Sequence, residues 1–326
     1  MTAPNRDGFG RIINYLRLSI TDRCNFRCRY CMPEDGVDKQ AHAQILRYED
    51  LLRIARSATA LGIDKIRVTG GEPLVRRGVV DFLRELGALP GVRDLALTTN
   101  GLLLAEMAAD LRAAGVGRVN VSLDSLREQT FAEITRGGDL KRVLAGIEAA
   151  AAVGMKIKLN MVVMRGVNDD EIVDFARLSV ERPFSVRYIE YMPTIREAGW
   201  EERLVSGDEV LQRIAAVWPL RALETGLLCG PARPYRIDNA AGTLGIITPM
   251  SDHFCSSCNR LRVTSTGLAK SCLLSEAAVD LKPCLEQADD ACLQKLLREI
   301  IAGKPAQHRM NENPDGSPFT MSSIGG

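Results

Sequence analysis

The chain has 326 residues, 46% of them hydrophobic, enough for one large domain or two ordinary ones with a proper buried core. Its 42 basic and 41 acidic side chains leave a formal net charge of +1, so no overall field gathers nucleic acid or a membrane surface, and an anionic ligand needs a local cluster of cations. Residues 1–11 are polar with no apolar leader, and no apolar run reaches the ~18 residues of a membrane span, so the expectation is a cytoplasmic protein that binds neither nucleic acid nor membrane.

From about Arg11 to Ala216, short stretches of period-two alternation are each followed by a longer amphipathic stretch. Strands are predicted over Ile12–Thr21, Lys65–Thr69, Asp94–Thr99, Arg118–Asp124, Lys156–Val163 and Ser185–Met192. Helices are predicted between them, for example over Tyr48–Leu61, Gly78–Leu89, Leu140–Val153 and Asp169–Val180. Such alternation means parallel strands with helical crossovers, and six units predict an α/β fold, an incomplete (βα)6 barrel of the TIM type. After about Pro219 the texture turns to Pro, Gly and short strand-like pieces, then a helix over Ala288–Ala302 and a polar tail, Gly303–Gly326. The expected division is therefore a barrel over 1–218 and a C-terminal extension over 219–326.

The strand faces carry the chemistry. Arg17, Ser19 and Thr21 alternate with Leu16, Leu18 and Ile20; Arg67 and Thr69 with Ile66 and Val68; Asn120, Ser122 and Asp124 with Val119, Val121 and Leu123; Lys156, Lys158 and Asn160 with Ile157, Leu159 and Met161. Helices cover the outside of a βα barrel, so the apolar set faces them and the polar set faces the lumen. Ordinary barrels of this type fill the lumen with branched apolar side chains. Hydroxyls, amides and cations here predict a cavity for a polar, anionic occupant. The alternative is a sheet with one face in water, for which the intervening helices leave little room.

Of the nine cysteines, six fall into two tight groups for which metal ligation is the better reading than disulfides. Cys24, Cys28 and Cys31 have the spacing C-x3-C-x2-C directly after the first strand, where barrels of this type keep their chemistry. Three thiolates can hold three irons of a cubane and leave the fourth open. A structural zinc knuckle wants four ligands, and His42 is the nearest further candidate. Cys255, Cys258 and Cys272 form a second triplet, compatible with a catalytic zinc or a second cluster with a free iron. Arg260 and Arg262 alternate with Leu261 and Val263 beside it, as a phosphate clamp or a solvated edge strand would. Cys229, Cys284 and Cys292 stand apart and read as buried packing.

The first triplet and its strand-end position resemble the radical S-adenosylmethionine superfamily. The Thr69-Gly70-Gly71-Glu72-Pro73 turn, taken alone only a turn that lets a ligand approach the backbone, supports this. Across Cys24–Pro33, Lys65–Leu74, Lys158–Asp169, Tyr188–Pro193, Phe254–Thr264 and the terminal Met321-Ser-Ser-Ile-Gly325-Gly326, the chain resembles the molybdenum-cofactor biosynthesis protein A family of GTP 3′,8-cyclases, from about Arg11 to Gly326.

The resemblance implies two [4Fe–4S] clusters, one on Cys24, Cys28 and Cys31, and an auxiliary one in the extension on Cys255, Cys258 and Cys272. It implies S-adenosylmethionine held by Tyr30, Gly70, Gly71, Glu72, Ser122 and Met192. It implies GTP bound by Arg17, Arg67, Thr98, Lys158, Arg260, Leu261 and Arg262, with Arg17, Gly325 and Gly326 as catalytic candidates. The activity implied is hydrogen abstraction from the ribose 3′ carbon of GTP and closure onto guanine carbon 8, an early step of molybdenum cofactor synthesis. Implied partners are a flavodoxin- or ferredoxin-type electron donor and, in function, a downstream cyclic pyranopterin monophosphate synthase; the assembly is a monomer or homodimer. The competing readings are a radical enzyme acting on a peptide or sugar, and a non-catalytic iron–sulfur or zinc protein.

Overall fold

Leucine and β-branched side chains alternate with polar ones along each short strand of the chain, and in the computed structural model these strands pair in sequence order. The structure describes residues 5–33, 35–36, 40–192, 199–224, 230–275, 277–307 and 321–324, so Cys229, Gly325 and Gly326 lie outside the described residues. Strands β1 (Tyr15–Ser19), β2 (Lys65–Thr69), β3 (Asp94–Thr99), β4 (Arg118–Ser122), β5 (Lys156–Val163) and β6 (Ser185–Glu190) run parallel, each bonded to the next. The crossovers are α1 (Tyr48–Ala60), α2 (Val79–Gly87), α3 (Leu104–Ala113), the pair α4 (Glu128–Thr135) and α5 (Leu140–Ala152), and α6 (Ile172–Glu181); α7 (Gly207–Ala215) follows β6. Their starts are set by side-chain caps where the sequence supplies them: Asp139 accepts from the Arg142 amide before α5 and Ser206 from that of Glu209 before α7.

The apolar strand faces do turn outward. Leu16, Leu18, Ile66, Val68, Val119, Val121, Ile157 and Leu159 share one core with helix residues such as Leu51, Ile54, Phe82, Leu83, Leu111, Ile147 and Phe175. Each fully buried Leu, Ile or Phe contributes roughly 1.5–3 kcal/mol relative to exposure, so this outer layer holds the barrel wall and frees its inner face for polar groups.

The C-terminal part enters the same sheet at both edges. It supplies β7 (Leu220–Ala222), β8 (Arg233–Ile237), β9 (Thr243–Ile247), β10 (Arg260–Val263), β11 (Leu268–Lys270) and β12 (Val279–Asp280), then α8 (Lys282–Glu286), α9 (Asp290–Ala302) and α10 (Met321–Ile324). β9 runs parallel to β6 and β10 parallel to β1, giving a 12-stranded sheet in the order β12-β11-β10-β1-β2-β3-β4-β5-β6-β9-β8-β7. The second cysteine triplet is thereby brought beside the strand that leads into the first. Cys284 and Cys292, read from the sequence as separate packing residues, are joined by a disulfide with Cα atoms 5.6 Å apart, because the turn between α8 and α9 brings them together. Among the described residues no helix is long and apolar enough to cross a membrane.

Glu190, at the end of β6, locks the last barrel strand to the extension. Its buried carboxylate accepts from the amides of Gly207 (2.9 Å), Met250 (3.0 Å) and Ser251 (3.0 Å), and from the Ser251 hydroxyl. A buried donor left without its acceptor costs ~1–3 kcal/mol. Glu190→Ala is therefore expected to lower unfolding free energy by about 3 kcal/mol or more in a urea titration; a loss below about 1 kcal/mol would contradict this bridging role.

Candidate active site: a cationic lumen between two cysteine triplets

The loop that leaves β1 is shaped by its own backbone. Thr21 Oγ1 accepts from the Arg23 amide at 3.1 Å, and the Cys31 and Met32 amides turn back onto the Cys28 carbonyl at 2.9 and 3.1 Å. The Arg27 and Arg29 amides donate to the carbonyls of Thr135 and Ile134, tying the loop to the end of α4, while Phe26 sets its ring edge-on against Phe131. Cys24, Cys28 and Cys31 are each half-buried on this loop.

Gly70 and Gly71 are required by this loop. A Cβ on Gly70 would stand 2.6 Å from the Thr21 carbonyl oxygen, and one on Gly71 2.4 Å from that of Arg23. Real Cβ contacts do not come so close, so the Gly-Gly pair exists to let the cysteine loop dock, with the Gly71 and Glu72 amides each donating at 2.7 Å to Thr21 and Arg23. The sequence reading had given both glycines to a ligand's approach; they do line the cavity, but the constraint comes from protein backbone. Glu72 likewise faces inward to the protein. Its buried carboxylate accepts from Leu74 N (3.0 Å), Thr99 Oγ1 (2.8 Å) and Asn100 N (2.7 Å), and burial raises its pKa to about 7 against those bonds. Asn100, so placed, donates to Asn25 at 2.7 Å and lies 4.0 Å from the Cys24 sulfur.

The second triplet straddles a hairpin. Cys255 and Cys258 occupy the turn before β10, and Cys272 follows β11, which pairs antiparallel with β10. Arg260 lies 3.6 Å from the Cys258 sulfur. Both triplets open into one cavity of about 270 Å³, whose wall also includes Arg17, Arg67, Arg187, Arg260, Arg262, Thr98, Ser122, Asn160, Tyr30 and Met192.

Electrostatics divides the two ends. Burial pushes the Cys24 thiol up to about 11 and raises that of Cys28, the latter also facing Asp124. At the other end burial opposes ionisation of Cys258, but Arg260, Lys304 and Arg262 outweigh it and bring the thiol down to about 5. Asp124 is raised to about 6 by burial, against hydrogen bonds from the Val162 amide and the Tyr30 hydroxyl (2.8 Å). Among the cations, burial and then neighbouring Arg67 and Arg262 lower Arg17, while Arg187 and Arg262 are brought to about 10. No carboxylate among the described residues pairs with Arg67, Arg187, Arg260 or Arg262 within ion-pair distance. Thr98 Oγ1, Asn160 Oδ1 and the Nε atoms of Arg67, Arg260 and Arg262 are buried without a hydrogen-bond partner among the described residues. Buried polar groups are ordinarily satisfied, so this wall fits an anion rich in acceptor oxygens.

A single ion and a cluster ask different things of the two cysteine triplets. Among the described residues no three His, Cys, Asp or Glu side chains converge tightly enough for one metal ion. Mononuclear zinc needs thiolates ~2.3 Å from a shared centre, whereas a cubane spreads its donors over separate irons.

Of the residues proposed from the sequence, the six cysteines, Arg17, Arg67, Thr98, Arg260, Arg262, Tyr30, Gly70, Gly71, Ser122 and Met192 share this cavity. Lys158 is one pleat below cavity-lining Asn160 on β5; burial and the charges of Arg187, Arg118 and Arg67 bring it to about 6. The Leu261 side chain packs in the outer core, leaving only its main chain to face the site. Gly325 and Gly326 lie outside the described residues, although Met321 lines the cavity. Arg187 and Asn100 were not singled out beforehand. Alternation of Arg187 with Val186 and Tyr188 held the signal for the first; nothing local to the sequence marked Asn100.

Comparison with known proteins places this geometry. The radical SAM superfamily model matches residues 18–179, and the Molybdenum Cofactor Synthesis C model matches residues 184–310. A GTP 3′,8-cyclase of Geobacter sulfurreducens is 60% identical over 98% of this chain and 99% of its own length. One from Moorella thermoacetica is 47% identical over 98% of this chain and 100% of its own. In fold alone, Streptococcus suis SuiB bound to S-adenosylmethionine is similar, with a TM-score of 0.60 at 15% identity, covering 88% of this chain and 68% of that one.

The glycine contacts yield a test. Gly71→Ala must displace the loop that carries Cys24, so anaerobic reconstitution is expected to leave it short of iron at the first triplet while far-UV circular dichroism stays native. Full iron content in that variant would contradict the docking role.

Proposed function

The chain belongs to the GTP 3′,8-cyclase family of radical S-adenosylmethionine enzymes, and on that premise we propose that its lumen holds GTP between two [4Fe–4S] clusters, one on each cysteine triplet. The family acts in molybdenum cofactor biosynthesis, and membership implies a [4Fe–4S] cluster, S-adenosylmethionine as cofactor and GTP as substrate. When bound, the first cluster and S-adenosylmethionine supply the one-electron chemistry that removes the ribose 3′ hydrogen.

Everything else is work for this chain's side chains. Cys24, Cys28 and Cys31 hold the first cluster, and because they are three they leave one iron position open. Tyr30, Gly70, Gly71, Ser122 and Met192 line the same cavity and would hold S-adenosylmethionine, with Glu72 fixing the turn from behind. Cys255, Cys258 and Cys272 hold the second cluster at the guanine end. Arg17, Arg67, Arg260 and Arg262, joined by Arg187 and by Lys158 below them, neutralise the triphosphate, and Thr98 donates its hydroxyl. Arg17 sits on the strand leading into the first triplet and lines the cavity, which makes it the catalytic candidate among these cations. Gly325 and Gly326, which lie outside the described residues, keep the catalytic assignment that the family resemblance gives them. A flavodoxin- or ferredoxin-type protein delivers the electrons, and a cyclic pyranopterin monophosphate synthase takes the product. The observation that carries this reading is that Arg67, Arg260 and Arg262, buried and with no carboxylate partner among the described residues, line the cavity onto which both triplets open.

Charge-assisted contacts are worth ~1.5–3 kcal/mol each, so Arg67→Met and Arg262→Met are each expected to weaken GTP binding about 10- to 100-fold by calorimetry. Unchanged affinity in both would remove the phosphate assignment. Lys158 supplies a pH signature. With its proton affinity near 6 it is largely neutral at pH 7.5, and phosphate oxygens drawn close would recharge it. GTP binding at pH 7.5 is therefore expected to take up protons, read from the dependence of the heat on buffer ionisation enthalpy. Lys158→Met should abolish the uptake; persistence of the uptake in that variant would detach Lys158 from the substrate.

A further inference from the structure

Lys304 is a buried cation that the chemistry above leaves without a role. It stands just past the end of α9 and is 3% exposed. Its Nζ donates to the carbonyl of Arg260 at 3.0 Å and to that of Ser271. Arg260 follows Cys258 by two residues, and Ser271 immediately precedes Cys272. One ammonium thus ties together the two halves of the second triplet, which are separated by the whole β10–β11 hairpin.

The segment that carries Lys304 is itself pinned to the third cysteine. The Arg11 guanidinium, oriented by Asp7 at 2.5 Å, donates at 2.7 Å to the carbonyl of Cys255 and to that of Pro305, and at 3.1 Å to that of Ala306. The carbonyls beside all three cysteines therefore converge on a brace of two cations at 11 and 304.

Charge adds a second constraint. Taking an ammonium out of water is costly unless an anion offsets it, and no carboxylate among the described residues pairs with Lys304. The charged groups that face it are the sulfurs of Cys258 and Cys272, which attract, and Arg260 and Arg262, which repel. An ammonium held by two carbonyls beside Cys258 and Cys272, with no carboxylate on it, is placed to offset negative charge at the second triplet.

We propose that Lys304 is the positioning residue of the second triplet, bridging its two halves and supplying the positive charge that lets three thiolates share a [4Fe–4S] cluster there. This rests on the two-cluster reading above. Loss of the charge disfavours the more negative, reduced cluster, so it lowers the reduction potential. An arginine at 304 keeps the charge.

The test compares wild type, Lys304→Met and Lys304→Arg, each reconstituted anaerobically as the full chain. Iron content and the midpoint potential of each cluster are read by electron paramagnetic resonance titration, with the first cluster as internal reference. In Lys304→Met the second cluster is expected either to be lost, about eight irons falling to about four, or to shift to lower potential, with the first cluster unchanged and Lys304→Arg restoring at least part of the effect. No effect, or equal damage to both clusters, would overturn the proposal. A wild type holding only about four irons would instead sink the second-cluster reading. Amide hydrogen exchange in the iron-free chain then still decides the bridge: faster exchange across 258–272 in Lys304→Met supports it, and unchanged exchange overturns it.

Discussion

Like charges packed in a poorly solvated lumen set the terms for the rest of this structure. Two unit charges ~8 Å apart repel by about 2 kcal/mol at an effective dielectric constant of ~20, and Arg17, Arg67, Arg187, Arg260 and Arg262 face one another across a single cavity. Loss of water, and after it repulsion from neighbours such as Arg67 or Arg260, lowers the proton affinity of Arg17, Arg187 and Arg262. Such an arrangement survives because the opposite faces of the strands that carry these arginines pack in the apolar core, so the wall cannot relax by turning its cations to solvent. A polyanion in this cavity would meet several guanidiniums at once.

Two cysteine loops cap this charge from opposite sides, and they are built in different ways. The first is held by backbone contact with the Gly70–Gly71 turn, itself fixed by the carboxylate of Glu72, so its shape does not depend on any charged neighbour. The second lies in a basic pocket where Arg260, Arg262 and Lys304 draw the Cys258 proton off. Burial thus raises the thiols of Cys24 and Cys28 at one end, whereas neighbouring cations lower that of Cys258 at the other. Parallel pairing of β10 with β1 brings the two within one cavity, since Arg17 on β1 and Arg262 on β10 are register partners. That single pairing makes the extension part of the cavity wall and not an appendage.

Much of this was legible in the sequence because the barrel obeys local rules. β2, β3 and β5 occupy the very residues that period-two alternation marks, and the polar-in, apolar-out assignment follows from the need to cover the outside with helices. Where the reading overshot, a specific contact intervened. The first strand ends at Ser19 and not Thr21, because Thr21 turns its hydroxyl to the Arg23 amide and opens the cysteine loop. The helix read from Asp169 starts at Ile172, preceded by a 3-10 turn over Asp169–Glu171. Less was legible after residue 219. Nothing in the short pieces around Gly245 or Arg260 tells which edge each will join, since parallel pairing to β6 and β1 is decided by tertiary packing. Lys304 was invisible for the same reason: a lone lysine after a helix carries no motif, and its role exists only through two carbonyls 33 and 44 residues away.

The central claim is that the lumen delivers the ribose of GTP to the open end of the first cysteine triplet. The most direct measurement uses GTP deuterated at the ribose 3′ carbon, incubated anaerobically with the reconstituted chain, S-adenosylmethionine and a reductant. Deuterium is expected in the 5′-deoxyadenosine released, at a rate matching loss of GTP. If 5′-deoxyadenosine accumulates while the label stays in GTP, the lumen does not present that carbon and the account is wrong.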